Sequence, residues 1–507
     1  MKRSLQLIIL YTIALLIGTN AQAQIDSRAY GYYEDALRFS QTTPFGSARF
    51  MALGGSGMAL GGEIGAISAN PAGLGVFNRS QFVFTPGIHF NQAEANYLGN
   101  TVDSEMTKFN VAGAGIILNF KNEDVENSKW RGGSLGITYN RTNDFNQNIQ
   151  YSGYNDQNSI IDAMIEQSNG LAPNQLSGLG LAGYDHYLVN PLSGTENVYD
   201  SFVLGFPDQR EIIERRGGIN QINISFGGNY NDHVYFGAGV GILSTNYSQS
   251  RVFTENFVEE PLEQFTMDEW LKVKGTGVNV SLGLIFRPVS FLRFGASFTS
   301  PTWYKFTEES DIYYQSNYDN YDVANWVDDD GNRLIQEDTV LNTLNSNTDL
   351  FVSEYNLRTP SKLNIGASLV LGKLAFFSAD VELVDHGNAH VSSSDFISEG
   401  DNNTIKNIYK PVMNIKAGGE LRISALRLRA GLALYGDPYN FTDEVDRSKL
   451  IASAGMGVNF GKVFFDVGYS RTVYNENILV YSLGGSGPVA AVENTINNAQ
   501  FSLGFNF

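Results

Sequence analysis

The chain has 507 residues, no cysteine and a formal net charge of −19 at pH 7. The acidic balance argues against nucleic acid as a partner, and the missing cysteine excludes a disulfide framework. Beyond residue 24 no run approaches eighteen consecutive apolar residues, which excludes a helical membrane protein. A transmembrane β-barrel remains allowed, because its spans are about ten residues long and half polar. The 53 glycines and the aromatic content of 12% agree with that class.

The N-terminus has the organisation of a secretory signal. Lys2 and Arg3 precede an apolar run over residues 5–17, and Ala21-Gln22-Ala23 resembles a cleavage site. We therefore predict a signal peptide over residues 1–23, removed before Gln24.

Residues 24–79 do not have the pattern of a barrel wall. Small residues dominate from Ser47 to Leu74, and the run ends in Asn70-Pro71-Ala72-Gly73-Leu74. Such a segment can fill a narrow lumen, and Pro71 holds Asn70 extended at the start of a turn. The glycines are not followed by the Gly-Lys-Ser/Thr of a phosphate-binding loop. We predict an N-terminal plug over residues 24–79 and a barrel over residues 80–507.

The rest of the chain contains fourteen segments that alternate apolar and polar residues as strands of a barrel wall do. An even number suits a single-chain barrel with both ends on one side. The last segment ends on Phe507, which we expect to address the chain to the barrel-assembly machinery. The segments are residues 80–90, 109–120, 131–141, 219–229, 233–249, 272–287, 290–300, 362–372, 374–386, 412–423, 425–435, 450–460, 462–474 and 499–507.

The connections between these segments alternate between short and long. Short periplasmic turns and long external loops are typical of outer-membrane barrels. The sequence thus predicts an all-β fold, a 14-stranded antiparallel transmembrane β-barrel in the bacterial outer membrane. The predicted external loops cover residues 91–108, 142–218, 250–271, 301–361, 387–411, 436–449 and 475–498.

Alternation also predicts which side chains face lipid and which face the lumen. Val280 and Leu282 lie on one face of their strand, while Asn279 and Ser281 lie on the other. We assign the apolar rows to lipid and the polar rows to the lumen.

This assignment places charged side chains of three consecutive strands in the lumen, where strands about 4.8 Å apart allow them to pair. Either these side chains form an ion-pair network that holds the wall and the plug, or they contact a ligand headgroup. The six residues are Asp380, Glu382, Lys416, Glu420, Arg427 and Arg429.

Two external segments have apolar residues at helical spacing. Residues 158–168 predict a short helix, and residues 261–271 predict a second one that starts at Pro261. Their apolar residues either pack within the loops or form an exposed groove that captures a hydrophobic ligand. The candidate capture residues are Ile161, Met164, Ile165, Leu262, Phe265 and Trp270.

No metal, cofactor or catalytic site is predicted. Residues 328–338 resemble part of a calcium loop, but Trp326 would occupy its first ligand position. His386 and His390 are four residues apart, and Gly387 between them favours a loop over a helix. With five histidines and no cysteine, the chain shows no organised nucleophilic motif, so we expect it not to be an enzyme.

The small-residue run that ends in Asn70-Pro71-Ala72 resembles the long-chain fatty acid and aromatic hydrocarbon transporters of the outer membrane, the FadL/TodX-like family. Fourteen strands and a C-terminal Phe507 agree with this resemblance. It implies that Asn70, Pro71 and Ala72 belong to a hatch inside the barrel. It also implies a lateral gap near a kinked third strand. The longest predicted loop, residues 142–218, lies elsewhere than the loops that build the family's capture groove.

The expected function is passive uptake of hydrophobic small molecules, fatty-acid-like or aromatic, through a barrel gated by the N-terminal hatch. The expected surroundings are outer-membrane lipid and lipopolysaccharide. The resemblance leaves a second hypothesis open, since some members of the wider family act as shuttles that hold exported proteins in type IX secretion.

Overall fold

The computed structural model describes residues 31–43, 46–123, 128–195, 197–327, 332–335, 338–441, 443 and 445–507. The predicted signal peptide lies outside these residues. Fourteen long strands form one antiparallel wall, which confirms the predicted fold class and the position of every predicted segment. The wall strands are β1 (Gln81–Tyr97), β2 (Asn100–Lys121), β3 (Trp130–Asp144), β4 (Asp208–Tyr230), β5 (Val234–Asn256), β6 (Leu262–Val289), β7 (Leu292–Thr299), β8 (Lys362–Leu371), β9 (Ala375–Asp385), β10 (Pro411–Ile423), β11 (Leu426–Tyr435), β12 (Lys449–Asn459), β13 (Val463–Leu479) and β14 (Val489–Asn506).

The wall is closed on itself. Each wall strand pairs with the next one in the chain, and β14 returns to pair with β1 in the register Gln81↔Asn506. Closure leaves no free sheet edge at the ends of the wall, so its backbone groups pair internally.

The two faces of the wall follow the predicted alternation. Val280 and Leu282 are 42% and 53% exposed on the outer face, whereas Asn279 and Ser281 are each 6% exposed on the inner face. Phe501 and Phe505 of the last strand also face outward. The apolar outer belt and the polar lumen are therefore as predicted.

The N-terminal segment crosses the lumen. Its helices are α1 (Tyr32–Arg38), α2 (Ala48–Ala52) and two 3₁₀ turns, Ile64–Ala66 and Pro71–Val76. Helix α2 contacts β11 to β14, while Pro71–Val76 contacts β3 to β6 on the other side of the ring. We call residues 46–77 the plug. No helix in the described part of the chain is long and apolar enough to cross a membrane.

Two of the predicted external loops, residues 91–108 and 250–271, are wrong because most of their residues belong to wall strands. Strands β1 and β2 continue through residues 91–108 to a tight turn at Leu98 and Gly99, both of which have positive φ. Residues 261–271 are not a helix but the start of β6, where Met267 pairs with Phe253 of β5. The ladder to a neighbouring strand overrides the weak helical spacing of this segment.

The other external connections contain their own regular structure. The predicted helix at residues 158–168 is confirmed as α3 (Ile160–Ser168), and the Ser159 Oγ accepts a hydrogen bond from the Ile161 backbone N–H at its start. The remaining helices are α4 (Gly178–Asp185), α5 (Glu399–Ile408) and the 3₁₀ turns Pro173–Gln175, Val323–Asn325 and His386–Asn388. The remaining strands are Gln147–Tyr154, Asn190–Pro191, Tyr199–Asp200, Trp303–Asp322, Val340–Asn347, Phe351–Arg358 and His390–Ser393.

Candidate functional site

The Asn-Pro-Ala turn of the plug is seated directly on the wall backbone. The Asn70 Oδ1 accepts a hydrogen bond of 3.0 Å from the Ala72 backbone N–H, which closes the turn. A Cβ at Gly283 would lie 1.9 Å from that Asn70 oxygen, and a Cβ at Gly237 would lie 2.3 Å from the Pro71 carbonyl carbon. No side chain larger than hydrogen fits between plug and wall at these two positions.

The opposite side of the plug is seated in the same way. A Cβ at Gly418 would lie 2.4 Å from the Leu53 carbonyl oxygen, and a Cβ at Gly468 would lie 2.4 Å from the Ala48 carbonyl oxygen. Alternation along β6 and β13 already places Gly283 and Gly468 in the polar rows that face the lumen. It does not indicate that the plug backbone lies against them.

A buried charged network joins the plug to the wall. The Glu420 carboxylate accepts hydrogen bonds from Arg49 of the plug (Nε, 2.9 Å) and from Arg429 of β11 (Nε, 2.7 Å). Arg429 also donates to Asp466 of β13 at 2.6 Å, and Arg422 donates to Glu420 at 2.8 Å. Each buried charge thus has opposite charges beside it, as buried ions require.

Three more of the predicted lumen residues have close partners, and one lies apart. Asp380 accepts hydrogen bonds from the plug backbone, the nearer one from the Gly57 N–H at 2.7 Å. Lys416 lies 3.4 Å from Glu382. Arg427 is not among them, because its guanidinium donates to backbone carbonyls at the turn before β11. The arrangement connects wall to wall and wall to plug.

Helix α1 lies at the other end of the lumen, against the external connections. The Tyr32 ring stacks on Phe396 with 4.0 Å between ring centroids, and the Tyr355 hydroxyl donates to the buried Asp35 carboxylate. A hydrogen bond of 3.0 Å from the Tyr409 hydroxyl to the Tyr33 carbonyl oxygen adds a third contact. Helix α1 therefore packs on the external connections and the upper wall, and none of the described plug residues belongs to its apolar core.

A second carboxyl group is buried beside Asp35. Glu308, on the external strand Trp303–Asp322, is 3% exposed. Burial, together with the nearby Asp35, raises the pKa of Glu308 to about 8, although Arg38 opposes both effects. At neutral pH this site therefore holds a protonated Glu308.

A cavity of about 580 Å³ lies between α1, the upper wall and the external connections. Its lining includes Tyr33, Leu37 and Arg38 of α1 and polar residues of β1, β12, β13 and β14. In the part of the chain that the structure describes, none of its lining residues belongs to the plug. A molecule in this cavity would rest above the plug, beside α1.

On one side of the cavity, the backbone ladder of the wall is interrupted. The ladder between β2 and β3 ends at the pair Gly113↔Asn140, and β3 then bulges between Arg141 and Asn143. The strand is interrupted after Asp144 and resumes as Gln147–Tyr154, which pairs with β4. Among the described strands no backbone ladder joins this continuation to β2. The third strand is thus kinked, as the resemblance implies.

Side chains close this interruption in the ladder, which we call the seam (residues 110–112 and 141–147). The Asp144 carboxylate accepts hydrogen bonds from Asn110 of β2 (Nδ2, 3.1 Å) and from Arg141 (Nε, 2.7 Å). The cavity lining includes residues 143–147. A molecule in the cavity would therefore be separated from the outside of the barrel at this level by side chains, because no described backbone ladder joins β2 to the third strand here.

The candidate capture residues do not form an exposed groove. Ile161, Met164, Leu262 and Phe265 are buried together in the core of the external connections, which corrects the capture interpretation for them. Ile165 is half-buried and packs against this core, whereas Trp270 is half-buried on β6 with the Lys272 ammonium over its ring. Loop helices and extended strands shield their apolar faces from water by packing on each other.

Large apolar side chains are exposed elsewhere on the external surface, at positions that no sequence pattern distinguished. Leu204 is 78% and Val258 is 76% exposed. Their loops touch, because the Leu204 backbone N–H donates to Glu260 at 3.2 Å. Phe206 is exposed in the first of the two loops. Their single apolar residues in polar loops gave no periodic signal.

The histidine and acidic-loop motifs do not assemble a metal site in the described residues, where no group of three or more His, Asp or Glu could hold a metal ion. His386 is buried with its Nδ1 3.1 Å from the Ser40 Oγ, whereas His390 is exposed. Burial lowers the pKa of His386 to about 3. Residues 328–331 and 336–337 of the calcium-loop motif lie outside the described residues.

The fold recurs among solved structures. A crystal structure of a Pseudomonas aeruginosa FadL homologue matches with a TM-score of 0.54 and 13% identity, over 92% of this chain and all of that one. Two crystal structures of the Pseudomonas putida toluene transporter TodX match with TM-scores of 0.50, at 11% and 13% identity and over 92% of this chain. They are covered over 99% and 100% of their own length.

This chain has the FadL-type barrel fold. The resemblance drawn from residues 47–79 is thereby confirmed at the level of fold. No family model and no curated protein matches the sequence.

Proposed function

We propose that the protein is a passive uptake channel of the bacterial outer membrane for small molecules with a hydrophobic part. The observation that carries this proposal is the cavity, which extends from α1 to the seam without touching the plug. The apolar outer belt of the wall supports a membrane location. The FadL homologue and the toluene transporter TodX, which share the fold, support the same class of function.

The contacts favour a path that leaves the plug in place. The plug is attached to the wall at Gly283, Gly418 and Gly468 and through the Arg49–Glu420 ion pair. Moving it would break backbone contacts on both sides of the lumen and leave buried charges unpaired. We therefore assign the gating role to α1 and the seam, and the plug, with Asn70, Pro71 and Ala72, closes the periplasmic side. A ligand would enter beside α1 and leave sideways through the seam.

The seam can be tested by cross-linking, because the natural chain has no cysteine. The double variant Asn110→Cys and Asp144→Cys, treated with a short thiol-specific cross-linker that can be cleaved by reductant, joins β2 to the kinked strand. We expect proteoliposomes with the cross-linked protein to lose uptake of a fluorescent fatty acid, and reductant to restore it. A matched control is the pair Asn96→Cys and Thr101→Cys, whose side chains also bond across two strands, at 3.0 Å, but at the exposed β1–β2 turn.

The outcomes separate the alternatives. Uptake that persists with the seam cross-linked would contradict lateral exit. The absence of uptake by every form, together with a co-purifying exported protein, would contradict the transport function and support the shuttle hypothesis.

A further inference from the structure

The cavity beside α1 has no net charge in its lining. Its acidic and basic residues are equal in number, five of each. Four of the five bases already lie within 3.4 Å of a carboxylate. A ligand that carries a charge therefore gains little from the cavity as a whole. The acidic residues are Glu34, Asp144, Glu269, Asp443 and Glu476, and the basic residues are Arg38, Arg215, Arg251, Arg447 and Lys449.

One buried amide in the lining is without a protein partner. Asn91 of β1 is 1% exposed and lines the cavity. Within the described part of the chain, neither its Nδ2 nor its Oδ1 makes a hydrogen bond. A buried amide without partners is costly, so whatever fills the cavity beside Asn91 must both donate and accept hydrogen bonds.

Aromatic side chains share the apolar part of the lining with aliphatic ones such as Leu37, Ile213 and Ile496. Tyr439 and Phe441 stack with 4.9 Å between ring centroids, and the Arg447 guanidinium lies over both rings. Phe145 and Tyr247 form an edge-to-face pair at 5.2 Å. Rigid ring surfaces of this kind suit a flat ring in a ligand.

The size of the cavity excludes a good fit to a single small ring. At about 580 Å³, it is several times larger than the cavity of about 150 Å³ that is known to hold benzene. It lies within the usual range for ligands of drug size.

These observations extend the proposed function and rest on it. We infer that the cavity selects a neutral ring compound that carries several hydroxyl groups, in preference to a hydrocarbon or an organic anion. The rings of the ligand would lie on the aromatic lining, and its hydroxyl groups would donate to and accept from the Asn91 amide. A hydrocarbon would leave that buried amide without hydrogen-bond partners. An anion would meet carboxylates in equal number to the cations.

Three probes that share one ring system test this inference: naphthalene, 2-naphthoate and 2-naphthyl β-glucoside. Binding is measured by fluorescence titration of the full-length protein in lipid nanodiscs, with empty nanodiscs as blanks and no glycoside detergent present. We expect the glucoside to bind about ten times more tightly than either other probe. Asn91→Leu should remove most of that preference. The control is Asn96→Leu, the same substitution on the outer face of the same strand, which should leave the preference unchanged.

The possible results have distinct meanings. Naphthalene or naphthoate binding at least as tightly as the glucoside, or a preference that Asn91→Leu does not change, would overturn the selectivity and leave the uptake channel standing. If none of the three probes binds above the blank, the inference fails, and the uptake of the fluorescent fatty acid decides separately whether the proposed function stands.

Discussion

Leu53 in the plug and Gly431 in β11 are in backbone contact. A Cβ at position 431 would lie 2.2 Å from the Leu53 carbonyl carbon and 2.3 Å from the next backbone nitrogen. Neither neighbour is the end of a flexible side chain, so neither can move away without shifting the plug.

Gly431→Ala should therefore loosen the plug. The added methyl group must displace the plug backbone, and overpacking of this kind costs about 1–3 kcal/mol. We expect faster protease cleavage within residues 46–77 and a raised ion leak in planar bilayers. The same change at Gly400, an exposed position at the start of α5 with open space around it, serves as the control. A Gly431→Ala protein with wild-type leak and cleavage would show that the plug is not fixed by this contact.

The Glu420 carboxylate accepts hydrogen bonds from three arginines of the plug and the wall. Its loss should therefore lower the stability of the protein more than the loss of an exposed ion pair does. Glu420→Ala leaves Arg49 and Arg429 buried without their shared carboxylate, which costs about 3–5 kcal/mol. We expect a lower thermal unfolding temperature and an increased leak. Glu309→Ala removes an exposed pair with Lys272 and should change the stability by less than about 1 kcal/mol. Equal effects of the two substitutions would contradict a supporting role for the network.

The wall could be predicted from sequence because its alternation has a physical cause that acts on every strand. Beyond the apolar belt this alternation stops, and the strand ends were not predicted. Above the apolar belt the outer residues of β1 and β2 are charged, such as Glu94 and Asp103, yet backbone pairing continues between them. The inner face of this extension, with Ala93, Ala95 and Tyr97 of β1, is buried against the external connections. Its outer face is polar, so residues 91–108 had the composition of a loop.

The site was predictable only where facing alone determines it. Lumen charges such as Glu420 and Arg429 followed from alternation, but their plug partner Arg49 did not, because contacts across a lumen leave no periodic signal. The cavity residue Asn91 is one asparagine among many. Its significance comes from the missing partners, which only a three-dimensional arrangement shows.

Phe265 distinguishes a packing role from ligand capture. It is fully buried among the external connections, so Phe265→Ala should destabilise them by about 3–5 kcal/mol through the cavity it leaves. We expect faster hydrogen exchange in α3 and in the upper part of β6. Val258→Ala, at an exposed position, should leave exchange unchanged. If Phe265→Ala instead weakened ligand binding with unchanged exchange, the capture interpretation would be restored.

The contact between α1 and the external strands should depend on pH. Burial raises the pKa of Glu308 from its ordinary value near 4.5 to about 8. The folded state therefore holds this proton more tightly than the unfolded state, and the stability present below pH 4.5 is lost as the pH rises toward 8. The full loss is on the order of 5 kcal/mol.

Hydrogen exchange of α1, corrected for the intrinsic pH dependence of exchange, measures this effect. Protection in the wild type should fall as the pH rises from about 4.5 to about 8, because ionised Glu308 repels Asp35 and must be solvated. Glu308→Gln cannot ionise, so its α1 should keep the same protection across that range. Glu309→Gln changes the exposed neighbour and should follow the wild type. A Glu308→Gln protein that loses protection as steeply as the wild type would show that another group controls the opening of α1.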